Sequence, residues 1–413
     1  MVLHQVRVAV VLVVACVTGL LACGSSTKEE ARGGVVIGDT LTVYSSLPLR
    51  GPFADRMRAL VNGEKLAISD AGATVGERVI KYASLDDATG PQGWDASATS
   101  DNARKAAQDP TTIAYLGDAD FGATAISLPI LNEAGVAQVS PAATYPGFTS
   151  ATGGTEKGEP DKYEPSGVPT FARVIPAATV EGEAQAAYQR AEGCRRTLVL
   201  AGKDVPGRAL AAAVAAALPK AGIRLVGPEA VDLAAEDQAP VAEAARAGRA
   251  DCVFVGTDSG ARPVALWNVL HAALPAALLF APADLARPGF LGALSPAEQA
   301  ATRVTQPILP RTMLNARGRD VLRRYRERFG EPAPVEMLYG YEAMALVLDT
   351  LRRAGDRANE RTYVAGLLRT ARRPDSVLGA YAIRRDGDTT LRRFSGFRVR
   401  AGIPVFDRVV LGR

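Results

Sequence analysis

The chain has 413 residues, 47% of them hydrophobic and 22% charged, with a formal net charge of +4. So small a surplus, with Lys and Arg interspersed among Asp and Glu, gives no basis for nucleic-acid binding, and beyond residue 22 no run of 18 consecutive apolar residues is present to span a bilayer. Only two histidines occur, His4 and His271, and neither G-x-G-x-x-G nor G-x-x-x-x-G-K-[ST] is present, so a His-based triad, a His-rich zinc site, a dinucleotide fold and a P-loop all lack their residues.

The chain opens with Arg7 and an apolar run at 8–19 (VAVVLVVACVTG). That run is shorter than the ~20 residues of a transmembrane helix and suits the core of a signal peptide. Leu20-Leu21-Ala22-Cys23 resembles the lipobox of bacterial lipoproteins, which implies cleavage after residue 22 and a lipid on Cys23. Residues 1–22 are therefore expected to be a signal peptide and 23–38, mostly small, polar and charged, a lipidated Cys with a flexible tether. At roughly 100–200 residues per domain, the remainder suggests two domains.

From there short β-rich runs alternate with helical patterns: strand 41–46, helix 54–71, strand 79–84, helix 97–107, strand 113–117, helix 123–134 and strand 137–140. Largely apolar strands in a βαβα series read as a parallel sheet covered on both faces. Residues 144–169, rich in Gly, Pro, Thr, Ser and Glu, interrupt the rhythm as a long surface loop. Alternation resumes with strand 171–175, helix 181–191, strand 197–201, helix 207–217, strand 223–226, helix 239–247, strand 252–255, helix 263–273 and strand 277–280. The stretch 316–371 is helical apart from turns near 331–334 and 355–359, with many of its arginines at the spacing of a solvated helix face. Strands at 380–384, 394–399 and 405–409 follow, with Asp386-Gly387 as a hairpin turn signal. The fold class is thus α/β, two Rossmann-like lobes with parallel sheets, whose ligand would sit at the strand carboxyl ends and helix N-termini. Asp86 and Asp87, adjacent at a strand end, point to opposite faces and read as loop residues. Cys194 and Cys252 each precede an apolar strand; they are either a disulfide between neighbouring strands or two buried thiols.

The segments SLPLRGPFA (46–54), VNGEKLAISDAG (61–72), SLDDATGP (84–91) and LNEAGVAQVSPAAT (131–144) resemble the N-terminal lobe of type 1 periplasmic binding proteins, in particular the leucine/isoleucine/valine-binding receptors of ABC transporters. DSVLGAYAIRRDGDTT (375–390) resembles the family's last crossover and hairpin. The resemblance implies a three-segment hinge, with crossings near 171–175, 302–309 and 375–380. Lobe 1 would hold 39–172 plus 307–376, and lobe 2 173–306 plus 377–413.

The resemblance also implies a ligand site. In Ser140-Pro141-Ala142-Ala143-Thr144, backbone groups at Ala142 and the backbone and hydroxyl of Thr144 would hold the α-amino and α-carboxylate groups of an amino-acid-like ligand. Phe121 stands where the family carries a carboxylate-binding Ser and is either a buried wall or a ligand contact; the N–H groups of Gly122 and Ala123 would remain to receive an anion. Arg56, near a usual aromatic contact, is either a solvated helix-start residue or a carboxylate clamp. In lobe 2, Pro206 replaces a common Tyr and Ala283 a common acid; Asp258 or Asp284 would supply the negative charge for the ligand amine. The implied function is a non-enzymatic solute receptor, monomeric and without cofactor or metal, delivering a small ligand to an ABC permease from the extracytoplasmic face of the membrane. A sensing lipoprotein of the same fold, signalling to a membrane partner, is the alternative.

Overall fold

The computed structural model describes residues 34–412 except 91–92, 231, 233–234, 236 and 258–262. Cys23, the expected signal peptide at 1–22 and Asp258 lie outside them. No helix among the described residues is long and apolar enough to cross a membrane.

The alternation produces two sheets. The first runs Thr74–Val75, Arg78–Asp86, Thr40–Leu47, Thr112–Leu116, Ala137–Ser140, Phe171–Arg173, parallel throughout except for the short first strand. The second runs Arg224–Ala230, Arg196–Ala201, Cys252–Gly256, Leu278–Ala281, Thr302–Gln306, Arg393–Arg400, Ile403–Leu411. Its first five strands are parallel and its last two antiparallel. Strands such as TIAYL (112–116) and CVFVG (252–256) are buried along their whole length, as a sheet sandwiched between helices requires.

Helices from distant parts of the chain complete the first lobe. Ala54–Asp70 lies against Met337–Ala354 so closely that a Cβ on Gly340 would stand 2.1 Å from the Leu60 carbonyl oxygen, and one on Gly63 2.3 Å from that of Met337. Any larger residue at either position forces the helices apart. In the second lobe, Cys194 and Cys252 form a disulfide with Cα atoms 5.8 Å apart. Cys252 opens its strand beside Thr197, so the bond ties the amino ends of two adjacent strands. Closing a loop of this length constrains the unfolded chain by roughly 4 kcal/mol in the chain-entropy picture.

The structure shifts the first and third expected crossings and keeps the second. Val174 and Ile175 are buried in the first core, so the first crossing follows them. The second runs through 307–310, between strand Thr302–Gln306 and helix Ala316–Phe329. The third comes near 390–392, later than the sequence pattern places it: Tyr381 and Ile383 are buried in the first core, strand Tyr381–Ala382 pairs with Arg372–Arg373, and Asp388 bonds Arg173. Residues 377–389 therefore belong to lobe 1. Nor does the flexible tether extend to residue 38, because Val35 bridges Glu360, the Val36 N–H donates to the Asn359 carbonyl at 2.8 Å, and the Val36 side chain is in the core.

Glu64, on helix Ala54–Asp70, is wholly buried and accepts the Tyr82 hydroxyl at 2.5 Å through one oxygen, while the other has no partner. Burial lifts its carboxyl to about 7. The unfolded chain loses this proton at the ordinary carboxylate pH and the folded chain only near 7, so stability falls across that interval as pH rises. Glu64→Gln is expected to remove a slope on the order of 3 kcal/mol, read as the difference between wild-type and variant urea midpoints at pH 5 and pH 8.

Candidate ligand-binding cleft

The carboxyl ends of both sheets carry loops that face one another. The Arg287 guanidinium of lobe 2 lies 4.5 Å from the ring centroid of Phe53 in lobe 1. On another flank Arg208 pairs with Glu156 at 2.5 Å. That second contact belongs to the loop 144–169, which is less exposed than its composition suggests. Tyr145, Phe148 and Tyr163 fold into an aromatic cluster with Phe171, and Glu159 inside it accepts the Tyr145 and Tyr163 hydroxyls at 2.6 and 2.7 Å. A Cβ on Gly154 would meet Ala209 and Ala212 of the second lobe at 2.9 Å. The loop bridges the lobes.

The turn after strand Ala137–Ser140 is held from both sides. Ser140 Oγ accepts the N–H groups of Ala142 and Ala143 at 3.2 and 2.8 Å. From below, the fully buried Arg173 donates to the carbonyls of Ala143 and Tyr145 at 3.1 and 2.7 Å, to Thr149 Oγ1 at 2.6 Å and to Asp388 at 2.7 Å. Ala143 and Tyr145 are thereby buried, and the alternation leaves Ala142 and Thr144 half-buried on the opposite side. The Thr144 carbonyl accepts from Ala178 at the start of the first lobe-2 helix, at 2.8 Å. The Thr144 hydroxyl and N–H and the Ala142 carbonyl make no hydrogen bond among the described residues.

At the expected anion seat, one of the two N–H groups, that of Gly122, is already taken from within the chain. Asp120 caps helix Phe121–Glu133 with its own carboxylate, accepting Gly122 N–H at 2.8 Å. The Trp94 ring fills the space over Gly122, where a Cβ would stand 2.3 Å from it. Phe121 is a wall residue, 4.6 Å from Tyr145 and 5.8 Å from Phe148 between ring centroids.

Arg56 sits in the first turn of helix Ala54–Asp70, half-buried, with its Nε buried and unpartnered. It is not a solvated surface residue. Its charge acts on Asp284, in the turn Ala283–Leu285 at the end of strand Leu278–Ala281. Pro206 lies in the first turn of helix Val205–Ala217, behind the N-cap Asp204, and offers only apolar contact. The structure thus has Ala142, Thr144 and Asp284 in turns that follow strands, Arg56 and Pro206 in the first turns of helices, and Phe121, Gly122 and Ala123 in the first turn of helix Phe121–Glu133.

Sequence reasoning read Asp86 and Asp87 as loop residues and did not single out Asp118, Asp120 or Glu181. Asp86 is a structural anchor, accepting from Leu49 and Ala88 at 2.9 Å each and pairing with Arg50 at 2.9 Å. Its neighbour Asp87 is fully buried with neither oxygen hydrogen-bonded, and burial together with Asp118 pushes its carboxyl up to about 8. Asp118, also buried, rises to about 7 despite bonds from Ser127 and Tyr115. Glu181 rises to about 7 through burial and the nearby Asp284. The signal for Asp118 and Asp120 was visible as G-D-A-D-F-G directly after a strand.

A family model described as periplasmic binding protein matches residues 42–402. The chain belongs to this family. Among solved structures, the leucine binding protein LivK of Thermotoga maritima superposes with a TM-score of 0.71 at 18% identity, covering 90% of this chain and 99% of that one. A solute-binding protein of an ABC transporter from R. palustris, in complex with benzoate, gives 0.68 at 18% identity over 91% and 98%. An ABC transporter substrate-binding protein from Desulfitobacterium hafniense, complexed with Leu, gives 0.70 at 18% identity over 89% and 100%. No curated protein matches by sequence. In this periplasmic binding protein a separate groove of about 550 Å³ lies on lobe 1 away from the strand ends. Its charges answer one another, Arg324 pairing with Asp70 and Asp320, and Arg373 with Glu342 and Asp349.

Arg173 fixes the turn that presents Ala142 and Thr144. Arg173→Met is expected to lower stability by roughly 3 kcal/mol, since it removes the buried partner of Asp388 Oδ1 and leaves the Ala143 and Tyr145 carbonyls without this donor, although Arg384 still pairs with Asp388. Urea unfolding of the variant beside wild type measures the loss.

Proposed function

We propose that the chain is an extracytoplasmic solute-binding lipoprotein, not an enzyme, that closes its two lobes on a small amino-acid-like ligand and delivers it to an ABC permease. The observation that carries the reading is the open set of polar groups at Ala142 and Thr144, set on a rigid turn at the strand ends of one lobe and facing the other lobe across a three-segment hinge. A Thr hydroxyl that both donates and accepts, beside a free N–H and a free carbonyl, suits a small polar head group. Asp284 approaches from the second lobe to meet a ligand amine, so binding uses both lobes and favours the closed form. Residues 1–22 are the signal peptide in this reading. Cys23 carries the lipid, and the protein acts as a monomer.

Two experiments test it. Thermal-shift measurement of the detergent-purified full chain against amino acids, aromatic and short-chain acids, and amines is expected to find a ligand. At about 100 times its dissociation constant it should stabilise by roughly 2.7 kcal/mol, and Thr144→Val should weaken it by about tenfold, one charge-assisted hydrogen bond. No shift across the panel counts against a receptor. Separately, Cys23→Ala is expected to move the protein from the membrane to the soluble fraction with ligand affinity unchanged; a variant that is processed and still membrane-bound rejects the lipid anchor.

A further inference from the structure

We propose that the groove on lobe 1 is a second ligand site, separate from the cleft, and that it takes a small phosphate monoester carrying a hydroxyl group. The phosphate meets Arg352 and Arg372, and the hydroxyl reaches Glu342.

The groove forms where three helices meet a strand. Helix Ala54–Asp70 contributes its last turn, helix Ala316–Phe329 its first half, and helix Met337–Ala354 its middle and end, while residues 372–377 close the remaining side. Its volume of about 550 Å³ is that of a small-molecule site. Five arginines and five acids line it. An apolar occupant would take those charges out of water without partners, so the groove selects a polar one.

The charges fall into two sets. Deep in the groove the acids are engaged. Asp70 accepts the Tyr341 hydroxyl at 2.9 Å and pairs with Arg324, whose Nε lies 2.9 Å from Asp320. Glu342 Oε1 accepts Arg373 Nε at 2.8 Å and the Tyr381 hydroxyl at 3.0 Å, and Asp349 stands 3.5 Å from Arg373. At the rim arginines are in surplus. Arg352 and Arg372 are exposed and make no side-chain hydrogen bond or ion pair among the described residues. Arg317 has only Asp375, at 3.8 Å with both side chains mostly exposed, a contact worth little in water. The Asp349–Arg373 contact sets the helix end that carries Arg352 beside the strand that carries Arg372. A carboxylate has two oxygens and satisfies one guanidinium fork; the three terminal oxygens of a phosphate can serve both.

Glu342 adds a second requirement. Its side chain is wholly buried, and Oε2 is an orphan acceptor in a network that is otherwise complete. Only an O–H or N–H can meet it. Arg373 already balances its charge, so a neutral hydroxyl is enough. Inorganic phosphate held at the rim leaves Oε2 unmet, whereas a hydroxyl on the same molecule answers rim and interior together.

The test is isothermal titration calorimetry of the detergent-purified full chain with glycerol phosphate, inorganic phosphate, succinate and glycerophosphoglycerol, the last a lipid head group without its acyl chains. Glycerol phosphate is expected to bind at least about tenfold more tightly than the other three, with affinity falling as salt rises. Arg352→Gln and Arg372→Gln, at exposed positions that leave the fold intact, should each weaken it about tenfold. Glu342→Gln, which turns the orphan acceptor into a donor, should bring glycerol phosphate down to the affinity of inorganic phosphate without changing the latter. Succinate binding as tightly overturns the phosphate, glycerophosphoglycerol binding as tightly overturns the monoester in favour of a lipid head group, and inorganic phosphate binding as tightly overturns the hydroxyl. Affinity unmoved by both arginine substitutions, or no binding of any probe, overturns the groove as a site. The reading of the cleft stands in every case.

Discussion

One guanidinium holds the hinge together. Arg173 has no exposure to solvent, and a buried charge is tolerated only when its donors are matched. Its partners are Asp388, two carbonyls of the turn that follows strand Ala137–Ser140, and Thr149. Arg173 itself ends the strand before the first crossing, and its partners belong to the turn that carries Ala142 and Thr144, the bridging loop and the hairpin that precedes the third crossing. The same contact therefore sets where the chain passes between lobes and how Ala142 and Thr144 face the cleft. Asp388 is held from the far side by Arg384 at 2.9 Å, which fixes the hairpin around Asp386-Gly387.

Charge in the cleft follows a different logic. Around Arg173 every nitrogen has a partner, whereas Asp87 is buried with neither oxygen hydrogen-bonded. A buried carboxylate without partners costs stability, which its raised proton affinity reduces. The lobes are not loosely joined, since Glu156 with Arg208 and Arg287 with Phe53 span the gap at two flanks.

Much of this architecture was legible in the chain. Whole-strand apolar runs separated by amphipathic helices required two covered parallel sheets, and SPAAT at a strand end located the turn. What was not legible depended on contacts between distant residues. Nothing local in DGD (386–388) says that Asp388 reaches back to residue 173 and keeps the hairpin in lobe 1. The aromatic residues of 144–169 are too widely spaced to reveal a cluster until Glu159 collects two of their hydroxyls. The N–H taken at Gly122 had a local sign, because Asp120 before Phe121 is a good helix cap. Comparison with a family Ser at the next position drew attention to a missing hydroxyl rather than to a carboxylate already in place. For Arg56 the chain left two readings open, a solvated helix-start residue or a carboxylate clamp, and only the packing shows its Nε covered.

The anchoring of Val35 and Val36 beside Asn359 and Glu360 sets how the molecule hangs. That contact lies next to Arg361, which binds the Thr112 and Asp109 carbonyls where strand Thr112–Leu116 begins. It is thus at the amino ends of the lobe-1 strands, and the cleft is at their carboxyl ends. The chain before residue 34 therefore joins lobe 1 on the side opposite the strand ends that carry the cleft, so anything that pulls on it loads the base of the sheet and not the turn at Ala142 and Thr144.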